Sequence, residues 1–377
     1  DRQICGNLLP LSHFPWNEKK KLNFEEIFKE INSNIELVNK IFKEFKPQYV
    51  IIRPGWIMSN IFLMIANYHK IPTTMPRPTR YKSFVCWTLG PYSHHLILFK
   101  EFLKTKSNIK DEKNIDLVPP EGSRQVFENF KKNRSTKSLL KKFLVGTFNH
   151  FHHKLNSIKQ KKFNLRPSYF SFIREYFFEL YSGYYLDKIS IDDISKISGK
   201  KILFMLPKEP EYTVQSLARD FANVHAIIMQ IAWSLPADTT LLIKEHSRLG
   251  FRKIKFYEDL KKFDNIKFVN PFLKGIDLMK HCDAGATIVG TIGLECGFLG
   301  KKCLIFSKRV EYFFLSNIIY VENLYDLKKS LHKLLQKTTK KQKTLFQHEV
   351  KKYYKSIKNL SFDAAETRVF EGNKEVS

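Results

Sequence analysis

From Lys201 onward, short apolar runs alternate with segments of helical period. Lys201–Pro207 (KILFMLP), Thr239–Glu245 (TTLLIKE), Ile266–Val269 and Ala286–Val289 are brief, apolar and partly β-branched. That is the pattern of strands buried on both faces of a sheet. Between them, apolar positions recur at helical spacing over Ser216–Leu235, closed by Pro236, over Phe251–Phe263 and over Lys274–Cys282. A further helix opens near Glu295 and ends at Gly300; a strand follows to Phe306, then another at Ile318–Val321 and a helix at Leu324–Gln336. Strands and helices alternating at this spacing predict an α/β domain with a doubly wound parallel sheet.

The amino-terminal half repeats the rhythm once. Asn23–Phe45 is a charged helix with Ile, Leu, Val and Phe at helical spacing, stopped by Pro47. Tyr49–Arg53 reads as a strand running into Pro54-Gly55-Trp56, followed by a helix at Ser59–His69 and an extended IPTTMPRP. Thr105–Ser123 reads as a long loop, and the residues after Ser361 as a polar tail. The expected division is 1–130 as a first domain, 131–198 as a basic helical linker or insertion, 199–360 as a second domain and 361–377 as the tail. The chain opens on Asp1 and enters a segment like a domain interior, as a piece lacking its first strand or two would.

In parallel sheets, ligands sit beyond the carboxyl ends of the strands. Three loops there carry reactive side chains: Lys208–Gln215 with Glu211, Lys244–Arg252 with Lys244, His246 and Arg252, and Gly290–Glu295 with Gly290, Thr291, Gly293 and Glu295. Glycines let a ligand approach backbone, helix starts bind anions, and an acid nearby can hold a ribose diol. The last loop therefore reads as a nucleotide turn, or as a plain capped strand-turn-helix. In the first half, Arg53, Trp56, Arg77 and Arg80 read either as contacts to an anionic acceptor or as core and surface residues. The histidine groups His94-His95 and His150, His152, His153 lack a carboxylate or cysteine at ligand spacing, so no metal site is expected.

Charge adds partners. Lys and Arg number 64 against 37 acids, a formal net charge of +27, which favours anionic partners. From Lys131 to Arg166 there are eleven Lys or Arg and no acid, interleaved with Leu139, Leu140, Phe143, Leu144, Phe148 and Phe151. This segment reads either as a solvated basic linker or as one that lies on an anionic membrane surface. No RNA-binding signature accompanies it, so no specific nucleic-acid partner is expected. Five cysteines without a CxxC pair fit a reducing cytoplasm. No apolar run approaches the ~18 residues of a membrane span, which places the protein in the cytoplasm or peripherally at the inner face of the plasma membrane.

Residues Lys201–Tyr312, about a third of the chain, resemble the bacterial capsule polysaccharide biosynthesis proteins, which include Kdo-transferase-like enzymes. The resemblance rests on Pro210-Glu211, on Lys244-Glu245-His246 followed by Gly250 and Arg252, and on Gly290-Thr291, Gly293 and Glu295 followed by Gly300-Lys301. Ser247 and Cys303 stand where that family prefers proline, and Glu209 where it most often has glutamine. The resemblance implies a GT-B fold: two Rossmann-like domains with a nucleotide-sugar cleft between them. It implies transfer of a sugar from a nucleotide donor, CMP-Kdo in kind, to a glycan or glycolipid, with no further cofactor and with capsule assembly proteins as partners. Under it, Glu211 and His246 are the catalytic pair, while Lys244, Arg252, Gly290, Thr291, Gly293 and Glu295 bind nucleotide and phosphate. A UDP-sugar epimerase, a polyol-phosphate transferase or a non-catalytic basic binding protein of the same shape are the other readings.

Overall fold

The computed structural model describes residues 24–52, 57–79, 84–88, 94–106, 136–159, 169–207, 214, 217–246 and 252–363. The chain is an α/β protein organised around a seven-stranded sheet. Its strands are β4 (Ser190–Ile191), β5 (Lys200–Met205), β6 (Thr239–Lys244), β7 (Ile266–Val269), β8 (Ala284–Thr287), β9 (Lys302–Ile305) and β10 (Ile318–Tyr320). They lie in the order β10-β9-β8-β5-β6-β7-β4, and every pairing is parallel. The central strands are shut from solvent on both faces, as their unbroken apolar runs require: Ile202, Leu203 and Phe204 of β5 and Leu241, Leu242 and Ile243 of β6 are fully buried. Helices α6 (Val224–Ser234), α7 (Ile254–Lys261), α8 (Gly275–Lys280), α9 (Ile292–Phe298) and α10 (Leu327–Leu335) connect or follow the strands.

Several boundaries differ from the sequence reading, two of them as follows. The helix expected over Ser216–Leu235 divides into a 3-10 turn at Arg219–Phe221 and α6, because the Asn223 side chain accepts from Ala226 N at 3.1 Å and caps a fresh helix. Strand β8 starts at Ala284, two residues before the expected Ala286, and Ile288 and Val289 leave the ladder while staying buried. The Cβ of any residue at Gly285 would collide with the Cys296 sulfur, so close packing of α9 on β8 selects the glycine that hides the strand from an apolar-run reading.

The second sheet has four strands, in the order β1-β2-β3-β11. Strand β1 (Val50–Ile51), α2 (Ile57–Tyr68) and β2 (Thr73–Pro78) form the expected strand-helix-strand unit, with β1 and β2 parallel and α1 (Phe24–Phe45) packed on α2. Strand β3 (Phe84–Thr88) runs antiparallel to β2, and β11 (Ser361–Asp363) antiparallel to β3. This sheet is therefore mixed where a parallel one was expected. The expected tail also needs correction, since Ser361–Asp363 pair with Cys86, Val85 and Phe84 as its edge strand.

The connection that brings the chain back is α11 (Lys340–Leu360). It opens with a capping box, Thr339 and Gln342 satisfying each other's backbone. Its buried residues Phe346, Val350, Tyr353 and Ile357 form one helical stripe, packed against α9 and against α3 (His94–Lys104). Ring contacts of Phe314 with Phe99 and Phe102, at 5.0 and 5.1 Å, join α3 to the loop after β9. Ser356 donates to Thr105 at 3.0 Å in the same seam. Helices α4 (Thr136–Lys159) and α5 (Tyr169–Ile189) precede β4. Among the described residues no helix is long and apolar enough to cross a membrane.

Candidate functional site

Strand order reverses between β5 and β8, whose following strands depart to opposite sides. Such a switch point leaves a crevice at the carboxyl ends of the strands. Strands β8, β5 and β6 are consecutive in the sheet, and their registers set Thr287 opposite Met205 and Met205 opposite Lys244. The loops after β8 and β6 and the described start of the loop after β5 thus leave from one rim.

At the β8 end, the Thr287 hydroxyl donates to Met205 O at 3.2 Å and accepts from Gly290 N at 3.0 Å, folding the turn back onto the switch point. Gly290 O accepts from the Tyr312 hydroxyl, and Gly293 O from Asn317 Nδ2 at 2.9 Å. A Cβ at Gly290 would press on Thr287 Oγ1, and one at Gly293 would enter the Tyr312 ring. Both glycines are demanded by close approach. Thr291 stands at the N-cap of α9 without a capping bond from its side chain.

Glu295 follows in the first turn of α9 and turns toward the start of α8. A Cβ added to Gly275 would stand 3.2 Å from its Oε2. The residue is half-buried, yet Oε2 is shut from solvent and meets no hydrogen-bond donor among the described residues. Burial lifts this carboxyl to about 7, against which the charge of Lys244 works. Lys244 is itself buried, its ammonium donating to Pro271 O at 2.8 Å. Burial lowers that ammonium to about 8, opposed by Glu245 and Glu295. The expected phosphate-binding lysine therefore sits beneath the rim, with a carboxylate as its electrostatic neighbour.

The β6 loop carries a second buried arrangement. Glu245 Oε1 accepts from the Arg252 guanidinium and from His246 N at 2.7 Å, and Oε2 accepts from the Tyr257 hydroxyl at 2.7 Å. Arg252 also donates to Pro207 O at 2.7 Å, tying the β6 loop to the end of β5. Arg252, expected at the phosphate, thus has its guanidinium engaged by protein acceptors. His246 is half-buried at the end of this clamp. Arg77, expected on the acceptor side, pairs with Glu311 at 3.0 Å and links β2 to the loop after β9. Glu211, Arg53, Trp56 and Arg80 lie outside the described residues.

The roles of Thr287, Gly275, Tyr257, Tyr312 and Asn317 escaped the sequence reading. Only Thr287 had a local signal, a polar residue in an otherwise apolar strand end.

The Glu295–Lys244 pair sets a pH test. The fold favours protonated Glu295, so its favourable contribution is complete below the ordinary 4.5 and is lost as pH rises through about 7. The fold disfavours charged Lys244, whose contribution is complete above 10.5 and is lost as pH falls through about 8. Glu295→Gln removes the first penalty and leaves the second. The Tm difference, variant minus wild type, is expected to rise between about pH 5 and pH 8, by the equivalent of roughly 1–2 kcal/mol after allowing for the counter-charge Lys244 loses. A flat or falling difference in thermal melts overturns the assignment of a costly buried carboxylate.

No family model and no curated protein matches the chain. Among solved structures, the chain is similar to Thermosulfurimonas dismutans KpsC, a beta Kdo 2,4 transferase, with 9% identity over 81% of this chain and 78% of that one, at a TM-score of 0.41. It is similar to the UDP-GlcNAc 2-epimerase of Methanocaldococcus jannaschii in complex with UDP-GlcNAc and UDP, at 12% identity over 87% and 80% and a TM-score of 0.34. The UDP-GlcNAc 2-epimerase of Neisseria meningitidis bound to UDP-GlcNAc matches at 14% identity over 97% and 88%, with a TM-score of 0.33.

Proposed function

We propose that this chain is a nucleotide-sugar-dependent glycosyltransferase of GT-B type, acting in bacterial surface polysaccharide synthesis with a CMP-linked donor of the Kdo kind. The observation that carries the reading is the reversal of strand order between β5 and β8, with a glycine turn leaving β8 and, near the start of α8, the buried Oε2 of Glu295 that meets no donor among the described residues. A sugar or ribose hydroxyl is the kind of group that would satisfy that oxygen. Phosphate oxygens would meet Thr291 and the backbone of Ile292 and Gly293.

In this reading, transfer breaks the bond between the anomeric carbon and the donor phosphate oxygen, and the acceptor hydroxyl takes the carbon. His246 gives a proton to the departing phosphate, and Lys244 lends positive charge from below the rim. Arg252 acts at one remove, through Glu245, by fixing the loop that presents His246. Glu211 receives the proton of the acceptor hydroxyl.

Thermal-shift measurements with CMP, UDP, GDP and ADP test this. A ligand bound only by the native state stabilises by about 2.7 kcal/mol at 100 times its Kd. A CMP-selective rise in Tm that Glu295→Gln removes is the expected result. A UDP-selective rise moves the function to hexose transfer or epimerisation, and no rise with any nucleotide overturns the reading in favour of a binding protein.

A further inference from the structure

We infer that helices α4 and α5 form a docking face for an anionic lipid bilayer. On α4, Leu140, Leu144, Phe148, Phe151 and Leu155 recur at intervals of three and four residues, which places them on one face over about 22 Å of helix. In a folded protein such a stripe is normally core. Here it faces solvent: Leu140 is 60% exposed, Phe148 70% and Leu155 61%. Helix α5 adds a second exposed face through Phe170, Phe177, Tyr181 and Tyr184. An open recess of about 390 Å³ lies on that helix, with Arg174 among its lining residues. The helices meet through Phe143 and Tyr176, ring centroids 5.2 Å apart.

Charge selects the occupant. Helix α4 contains Lys137, Lys141, Lys142, Lys154 and Lys159 and no acid, whereas α5 carries Glu175, Glu179 and Asp187 against Arg174 and Lys188, so the cationic field belongs to α4 and coincides with its apolar stripe. Apolar residues that enter the acyl boundary, with lysines that stay among headgroups, are what an anionic bilayer surface accepts. A protein partner of ordinary surface composition would give the lysines no matching field. The carboxyl end of α5 is anchored to the carboxy-terminal domain, where Leu186 is buried and Ser182 donates to Arg252 O at 3.2 Å. Docking would therefore hold the bilayer in a fixed relation to the β6 loop, whatever chemistry that loop performs.

The test is co-sedimentation of the full chain with vesicles of phosphatidylcholine alone and of phosphatidylcholine with phosphatidylglycerol, at low and high salt. Binding is expected only with phosphatidylglycerol and weaker at high salt. Phe148→Ser is expected to weaken it roughly tenfold or more, and Lys141→Gln about fivefold. Both positions are exposed, so circular-dichroism melts should match wild type and exclude misfolding as the cause. The inference is overturned if vesicles of neither composition sediment the protein, or if Phe148→Ser binds as tightly as wild type. It is equally overturned if the wild type binds single-stranded RNA but not vesicles, or if it self-associates through a contact that Phe148→Ser abolishes.

Discussion

Glu245→Ala is expected to destabilise the protein by roughly 3–5 kcal/mol, the cost of removing one partner from a buried ion pair. Glu245 is 2% exposed and serves three donors at once: the Arg252 guanidinium, the Tyr257 hydroxyl and His246 N. Alanine removes the carboxylate from the buried guanidinium, whose described contacts besides it include Pro207 O and the face of Phe256, neither of which carries a negative charge. It also removes the bond from the Tyr257 hydroxyl to Glu245 Oε2. For a protein of this size the loss lowers Tm by roughly 10 °C. Glu245→Gln keeps an acceptor of the same shape without its charge, so its melt should fall between the two. Urea unfolding that finds alanine within about 1 kcal/mol of wild type would show that water already reaches this pair.

That clamp also marks where the sequence stops being readable. Glu245 and Arg252 stand seven positions apart on what the pattern identifies as a strand-end loop. Residues of either charge in such a loop read as ligand contacts, and nothing local says that they satisfy each other. Strands β5 and β6 were legible because Ile202–Phe204 and Leu241–Ile243 are unbroken apolar runs buried on both faces, and β7 because Ile266, Phe268 and Val269 are apolar and buried around an exposed Lys267. Strand β8 was half hidden by Ala284 and Gly285, the glycine being required by the Cys296 sulfur of α9 against it. Strand β11 was invisible: three residues of no distinctive pattern pair with Phe84–Cys86, far away in the chain, and only the seam along α11 brings them there. In the site, Gly290, Gly293 and Glu295 were legible as a strand-turn-helix unit. Tyr312 and Asn317, which hold its carbonyls, come from the far side of β9 and carry no spacing signal.

His246→Ala is expected to lower kcat by roughly 10²–10⁴-fold, the range for losing a general acid, while stability stays within about 0.5 kcal/mol of wild type. The two expectations follow from one geometry. The bond that fixes the loop uses the backbone N of His246, donated to Glu245 Oε1 at 2.7 Å, and any residue at this position except proline keeps it. The side chain is half-buried at the rim, so its removal does not open the core. The loss should therefore fall on turnover and spare the Tm shift given by bare nucleotide. A general acid has a further signature: the limb of the kcat/KM profile that requires a protonated group should vanish in the variant. A donor with a better leaving group, which needs no proton, should recover much of the lost rate. Full turnover in His246→Ala sinks the acid assignment. If turnover is lost together with the nucleotide shift, His246 instead holds the donor in place, and the proton must come from another group on the rim.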